Sequence, residues 1–93
     1  MNIQHKSTET KGSFYVSENE DTLAEMTYSK AGQHLIIIDH TEVSDQLKGK
    51  GAGRKMVEVA VLHARNNQLK ILPLCPFAKS VFDKTPEFRD VLS

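Results

Sequence analysis

The chain reads as an α/β (α+β) fold: a mixed, twisted sheet of about four to five strands, one long helix and one or two short C-terminal helices. Three observations predict this. Short alternating or branched runs separated by polar turns occupy the first half. A glycine-rich turn at Gly49-Lys50-Gly51-Ala52-Gly53 then separates the strongest apolar run, Leu35 to Val43, from a long amphipathic run. A second short apolar run, Ile71-Leu72-Pro73-Leu74, follows that helix, so strand, glycine turn, helix and strand form a βαβ unit with a parallel pair.

Taken in order, Met1 to Gly12 is polar with little apolar periodicity and is expected to be a flexible arm, leaving residues 13–93 as a single domain. Ser13 to Ser17 is a short aromatic and branched strand, and Glu18-Asn19-Glu20-Asp21 is a turn. Thr22 to Ser29 alternates, with Ala24, Met26 and Tyr28 on one face and Glu25 and Thr27 on the other, which predicts a half-buried strand hairpinned to the first. Leu35-Ile36-Ile37-Ile38 is apolar on both faces and marks a central strand. If that strand continues in period two, His40 and Glu42 share the face of Ile36 and Ile38, and Asp39 and Thr41 share the other with Val43. Polar residues in the strongest strand conflict with burial, which points to a bulge or a functional site; the competing reading is a solvated strand end.

Ala52 to Asn66 is the long helix, with Arg54, Glu58 and Arg65 on one stripe and Met56, Val59, Ala60 and Ala64 on the broad opposite face. Pro73 removes a ladder donor and makes its strand an edge or an interrupted strand. Pro76 suits the first position of a helix through Phe82, which puts Cys75 at the N-cap. There a helix dipole favours thiolate, while the competing reading is a small apolar core filler. Thr85-Pro86-Glu87 stops that helix and caps a last short turn.

Composition narrows the function. Ninety-three residues with 12 basic and 12 acidic side chains carry no net field to draw in nucleic acid or an anionic membrane. No aromatic-basic stacking platform is present, so a nucleic-acid partner is not expected. One cysteine excludes an internal disulfide, and no apolar run approaches the ~20 residues of a membrane span. The expectation is a cytoplasmic domain, monomeric or weakly dimeric, with no membrane or metal partner.

The basic residues Lys48, Lys50, Arg54 and Lys55 cluster at the glycine turn. Glycines let the backbone approach a ligand closely, and the following helix offers unpaired N–H groups and its positive end to an anion. No window fits Gly-x-x-x-x-Gly-Lys-Ser/Thr, and the turn is one residue short of Gly-x-Gly-x-x-Gly. Gln-x-x-Gly-x-Gly does fit, at Gln46, Gly49 and Gly51. The competing reading is a glycine turn without a ligand.

With His40-Thr41 to Val43 before the turn and Cys75 to Ala78 after the helix, the chain from about residue 13 to 92 resembles the small single-domain GCN5-related N-acetyltransferase-like family. The resemblance implies a reduced acetyltransferase fold whose sheet splays where acetyl-CoA enters. It implies acetyl-CoA bound by Gln46, Lys48, Gly49, Lys50, Gly51, Ala52, Gly53 and Arg54, with pantetheine alongside the strand end at Val43. Larger acetyltransferases carry helices between their first strands that help build the acceptor site. Here Val16 and Leu23 are joined by a tight acidic turn, so the acceptor side is expected to be open or completed by a partner.

Attack on a thioester needs a nucleophile, a donor to the carbonyl oxygen and a proton route. An exposed strand N–H between His40 and Val43 can donate. His40 can take a proton from an acceptor ammonium, and Glu42 can do the same or hold the ammonium. Cys75 can instead accept the acetyl group first. All three lie toward the carboxyl ends of neighbouring strands, where they are expected to converge. His5, His34 and His63 have no such companions and are read as surface or packing residues. The expected activity is acetyl transfer to an amine of undefined identity; a CoA-binding or interaction module without turnover is the alternative.

Overall fold

The computed structural model describes residues 1–93. Five strands form one sheet in the order β1 (Gln4–Ser7), β2 (Lys11–Glu18), β3 (Asp21–Lys30), β4 (Leu35–Val43), β5 (Lys70–Pro73). Neighbours from β1 to β4 are antiparallel, and β4 and β5 are parallel. Between them runs α1 (Ala52–Asn66), and after β5 come α2 (Pro76–Lys84) and a 3-10 segment at Pro86–Val91.

The first twelve residues are not a loose arm. Gln4–Ser7 pairs with Ser13–Tyr15 and Gly12 along β2, and β2 itself begins at Lys11. Apolar periodicity is absent there because the edge strand's anchor is aromatic stacking. The His5 ring stacks on Phe14 with centroids 4.3 Å apart, meets His63 of α1 edge-on at 4.6 Å, and bonds the Tyr28 hydroxyl through Nε2 at 2.7 Å. The expectation that His5 and His63 serve packing therefore fits their places.

The β2–β3 connection is a two-residue turn at Asn19 and Glu20, both with positive φ (51° and 72°), a geometry whose twist matches paired strands. It leaves no helix between these strands. β3 alternates as its sequence implies: Ala24, Met26 and Tyr28 are buried and pack with Phe14, Val16, Ile36 and Ile38 under α1. Gly12 is required at close range, because a Cβ there would lie 2.3 Å from Cζ of the buried Tyr28 ring.

Helix α1 buries Met56, Val57, Ala60, Val61 and Ala64 against this face, and α2 adds Ala78, Val81 and Phe82 to the same core. Both helices thus lie on one side of the sheet. β5 is the edge strand that Pro73 requires and ends there. Thr85 precedes the last 3-10 segment, but its side chain makes no capping bond and is buried without a partner. No helix is long and apolar enough to cross a membrane.

Candidate active site

The centre of the site is the parting of β4 from β5. The two strands pair from Leu35–Lys70 to Ile38–Pro73, and no further. The Ile38 carbonyl accepts from both the Leu74 and Cys75 N–H groups at 3.0 Å, after which the chain turns into α2. β4 runs on through Asp39–Val43 with only β3 beside it. Ser44 N–H donates to the Leu23 carbonyl, on the β3 side. By strand alternation the N–H groups of Val43 and Thr41 then aim away from β3, into the notch where β5 would be. This supplies the exposed strand donors expected between His40 and Val43.

A bulge changes which side chains look where. Thr27 pairs with His40 and Tyr28 with Ile38, so Asp39 is an extra residue. Past it, Thr41 lies opposite the buried Met26 and Val43 opposite the buried Ala24, so both join the helix-covered face of Ile36 and Ile38. His40 and Glu42 turn to the open face instead. The expected pairing of His40 and Glu42 with Ile36 and Ile38, and of Thr41 with Asp39, is therefore corrected: period two fails across an inserted residue. Asp39 accepts hydrogen bonds from Thr27 Oγ1 and from Ser29 Oγ at 3.3 Å on that open face.

His40 Nε2 and Glu42 Oε1 are 3.0 Å apart, and both side chains are largely exposed. Cys75 does not converge with them. It occupies the predicted N-cap position of α2, but its side chain makes no cap bond; it is buried, and Sγ donates to Thr41 Oγ1 at 3.2 Å on the other face. The tertiary arrangement thus separates the pair His40–Glu42 from the pair Thr41–Cys75. Thr41 meets the thiol only because the bulge reverses its face, which its neighbours in sequence do not reveal.

Beyond Val43, Ser44 caps a 3-10 turn at Asp45–Leu47, its Oγ accepting from the Gln46 N–H at 3.2 Å. Leu47 packs against the core, while Gln46, Lys48, Gly49, Lys50 and Gly51 are exposed. Gly49 and Gly51 take φ of 79° and 75°, and Gly51 is the left-handed N-cap of α1. The N–H groups of Gly49, Gly51, Ala52, Gly53 and Arg54 donate to no other backbone group; the first helical bond to the cap is Lys55 N–H to Gly51 O. This cluster of free donors at a helix start is what an anion would bind.

The basic side chains contribute less than their number implies. Lys48 bonds Asp45 at 2.9 Å, and Arg54 bonds Glu58 at 3.3 Å while lying over the Phe88 ring. Lys50 and Lys55 have no ion pair and share a cleft with Gln4 and Glu18. Gly53 also has a packing duty: a Cβ there would lie 2.6 Å from the Phe77 ring at the start of α2. Exposed Leu74 and Phe77 present apolar surface near the parting of the strands.

A sheet split at its parallel pair, with a donor-rich glycine turn at the carboxyl end of β4, defines an α+β domain with an open crevice at the strand ends. Residues 13–91 match the family model described as GCN5-related N-acetyl-transferase. The chain belongs to the GCN5-related N-acetyltransferase family. It is similar to a GCN5-like protein of Staphylococcus aureus solved by NMR, with 43% identity and a TM-score of 0.76, covering 99% of this chain and 89% of that one. Its fold is also similar to that of a ribosomal-protein-alanine N-acetyltransferase from Brucella melitensis biovar Abortus 2308 (13% identity, TM-score 0.66, 81% of this chain and 62% of that one). AAC(6')-Iy, solved with the bisubstrate analogue CoA-S-monomethyl-acetylneamine, shares the fold as well (9% identity, TM-score 0.58, 83% of this chain and 61% of that one). No curated protein sequence matches the chain.

Proposed function

We propose that this chain binds acetyl-CoA across the β4–β5 notch and transfers its acetyl group directly to an amine. The observation that carries the reading is the alignment of two donor sets: strand N–H groups facing the notch at Thr41 and Val43, and the free N–H cluster from Gly49 to Arg54 beyond the same strand end. The second set suits a pyrophosphate, with Gly49 and Gly51 leaving it room and Lys50 unpaired beside it. Acetyl-CoA would supply an activated acyl group. The Val43 or Thr41 N–H would donate to the acyl oxygen, and Leu74 and Phe77 would border the pantetheine.

His40 acts as general base, oriented by Glu42 at 3.0 Å. His40 takes one proton from the acceptor ammonium; as the nitrogen–carbon bond forms and the carbon–sulfur bond breaks, the nitrogen's second proton passes to the departing sulfur. Cys75 does not act as a covalent relay, since its thiol is buried against Thr41. Gln46 and Lys48 flank the cradle, and Ala52, Gly53 and Arg54 contribute backbone N–H groups.

CoA at a hundred times its Kd is expected to stabilise the fold by about 2.7 kcal/mol. For a domain of this size that raises Tm by roughly 10 to 20 °C. Pantetheine, which lacks the pyrophosphate, should produce little of this shift at equal concentration. Absence of a CoA shift at saturation would overturn cofactor binding. An equal response to pantetheine would move the binding energy away from the glycine turn.

A further inference from the structure

The face of the sheet away from the helices holds a cleft of about 420 Å³ along β1, β2 and β3 that reaches Asp39 of β4. We infer that this cleft is the acceptor site and that it takes a zwitterion, an amine that also carries a carboxylate. The inference rests on the acetyl-transfer reading above and names its second substrate by chemical class.

Among the charged side chains lining the cleft, Lys6 and Glu25 lie 3.7 Å apart and answer each other. Lys11 and Asp39 remain, and neither forms an ion pair. One cation and one carboxylate without an ion partner therefore line a single cavity, the carboxylate held in place by the Thr27 and Ser29 hydroxyls. Register sets them apart: Lys11 is opposite Ser29, and Ser29 Oγ donates to Asp39. Two strand spacings of about 4.8 Å thus lie between their backbones, a span that long side chains and a small bipolar ligand fill together.

A second, independent observation marks the same place. Ser13 lines the cleft between Lys6 on β1 and Thr27 on β3, is only 3% exposed, and its hydroxyl has no hydrogen-bond partner. A buried hydroxyl normally has a partner, and a polar ligand supplies one. The orientation follows from charge. The ammonium goes to Asp39, next to His40 and the mouth of the notch, and the carboxylate goes to Lys11. The reacting nitrogen then lies on the face where the His40–Glu42 pair is exposed. His40 takes one proton from the ammonium; the nitrogen–acyl bond then forms as the carbon–sulfur bond breaks, and the nitrogen's second proton passes to the sulfur, so that CoA leaves as the thiol.

The test compares amine pairs that differ only in the carboxylate: L-phenylalanine with phenethylamine, and L-leucine with isopentylamine. Each is titrated into the isotope-labelled full chain with saturating CoA while backbone amide shifts are followed. The amino acids are expected to shift Ser13, Thr27 and Asp39 and to bind at least tenfold tighter than their decarboxylated partners. Lys11→Met should erase that preference, and Asp39→Asn should weaken both members of each pair. Equal binding of both members, or amino-acid shifts outside the cleft, would overturn the assignment. CoA shifts at Gly49 to Arg54 with a silent cleft would overturn the acceptor site alone. Absence of those CoA shifts would overturn the transfer reading and the acceptor role with it.

Discussion

His40, Glu42 and Cys75 show how one inserted residue redistributes chemistry. Asp39 bulges β4, so the imidazole and carboxylate meet on the open face and the thiol closes against Thr41 under the helices. A general base contributes about a hundredfold or more, so His40→Ala or Glu42→Gln should lower kcat/KM on an accepted amine by that scale. Cys75→Ser should keep most of the activity. Iodoacetamide should label Cys75 in the native protein only as fast as the structure opens, because the thiol is buried. Rapid native labelling together with loss of transfer in Cys75→Ser would restore the covalent relay.

At the scale of elements, β1 is the most conditional strand. It is an edge strand held by the His5 stack on Phe14, the bond to Tyr28 and the contact with His63. Partial burial lowers the His5 pKa below its ordinary value, with further lowering from His63 and Lys30. Burial and Lys30 lower that of His63 too. The unfolded chain therefore takes up these protons at higher pH than the folded one, and stability is lost as pH falls. The loss begins near the ordinary histidine value of 6.5 and is complete once pH is below the lowered folded values. Protection factors in Gln4–Ser7, with the base-catalysed intrinsic exchange rate divided out, should fall on acidification from pH 7.5 to 5.5 well before those at Ile36 and Ile38. His5→Phe, which keeps the ring and removes the charge, should reduce that pH dependence in β1 and leave only the share of His63; an unchanged profile would place its cause elsewhere.

Over the whole molecule, the outer edge of β5 is tied down by the C-terminal residues. Arg65 of α1 makes paired bonds of 2.8 Å to both carboxylate oxygens of Asp90 and a third to the Glu87 carbonyl. Lys70 Nζ donates to the Asp90 carbonyl, Leu92 bridges Ile71, and Ser93 N–H donates to Ile71 O at 2.8 Å. This clamp holds the short parallel strand whose parting from β4 makes the notch. Arg65 and Asp90 are exposed, so salt screens their attraction. Arg65→Met should speed amide exchange at Ile71 and Ser93 and weaken CoA binding severalfold, and 1 M NaCl should reproduce part of the exchange effect in the unmodified chain. Unaltered exchange in Arg65→Met would show that the apolar contacts of Val91 and Leu92 suffice.

Much of this architecture is written locally. Alternation in Thr22 to Ser29, the apolar run at Leu35–Ile38, glycines at 49, 51 and 53, the period of α1 and the prolines at 73 and 76 each report a backbone preference set within a few residues. Those signals located β2 through α2 and the donor-rich turn, and the polar break after Ile38 flagged the bulge without telling which side chains it would turn. Three features required the assembled sheet. β1 is anchored by rings from β2, β3 and α1 that are far apart in sequence. Thr41 and Cys75 are 34 residues apart and meet only across the parallel pair. Lys11, Ser13 and Asp39 become one cleft only when β2, β3 and β4 lie side by side. Local sequence determines backbone geometry, whereas the side chains that share a cavity are chosen by register, and register is a property of the folded sheet.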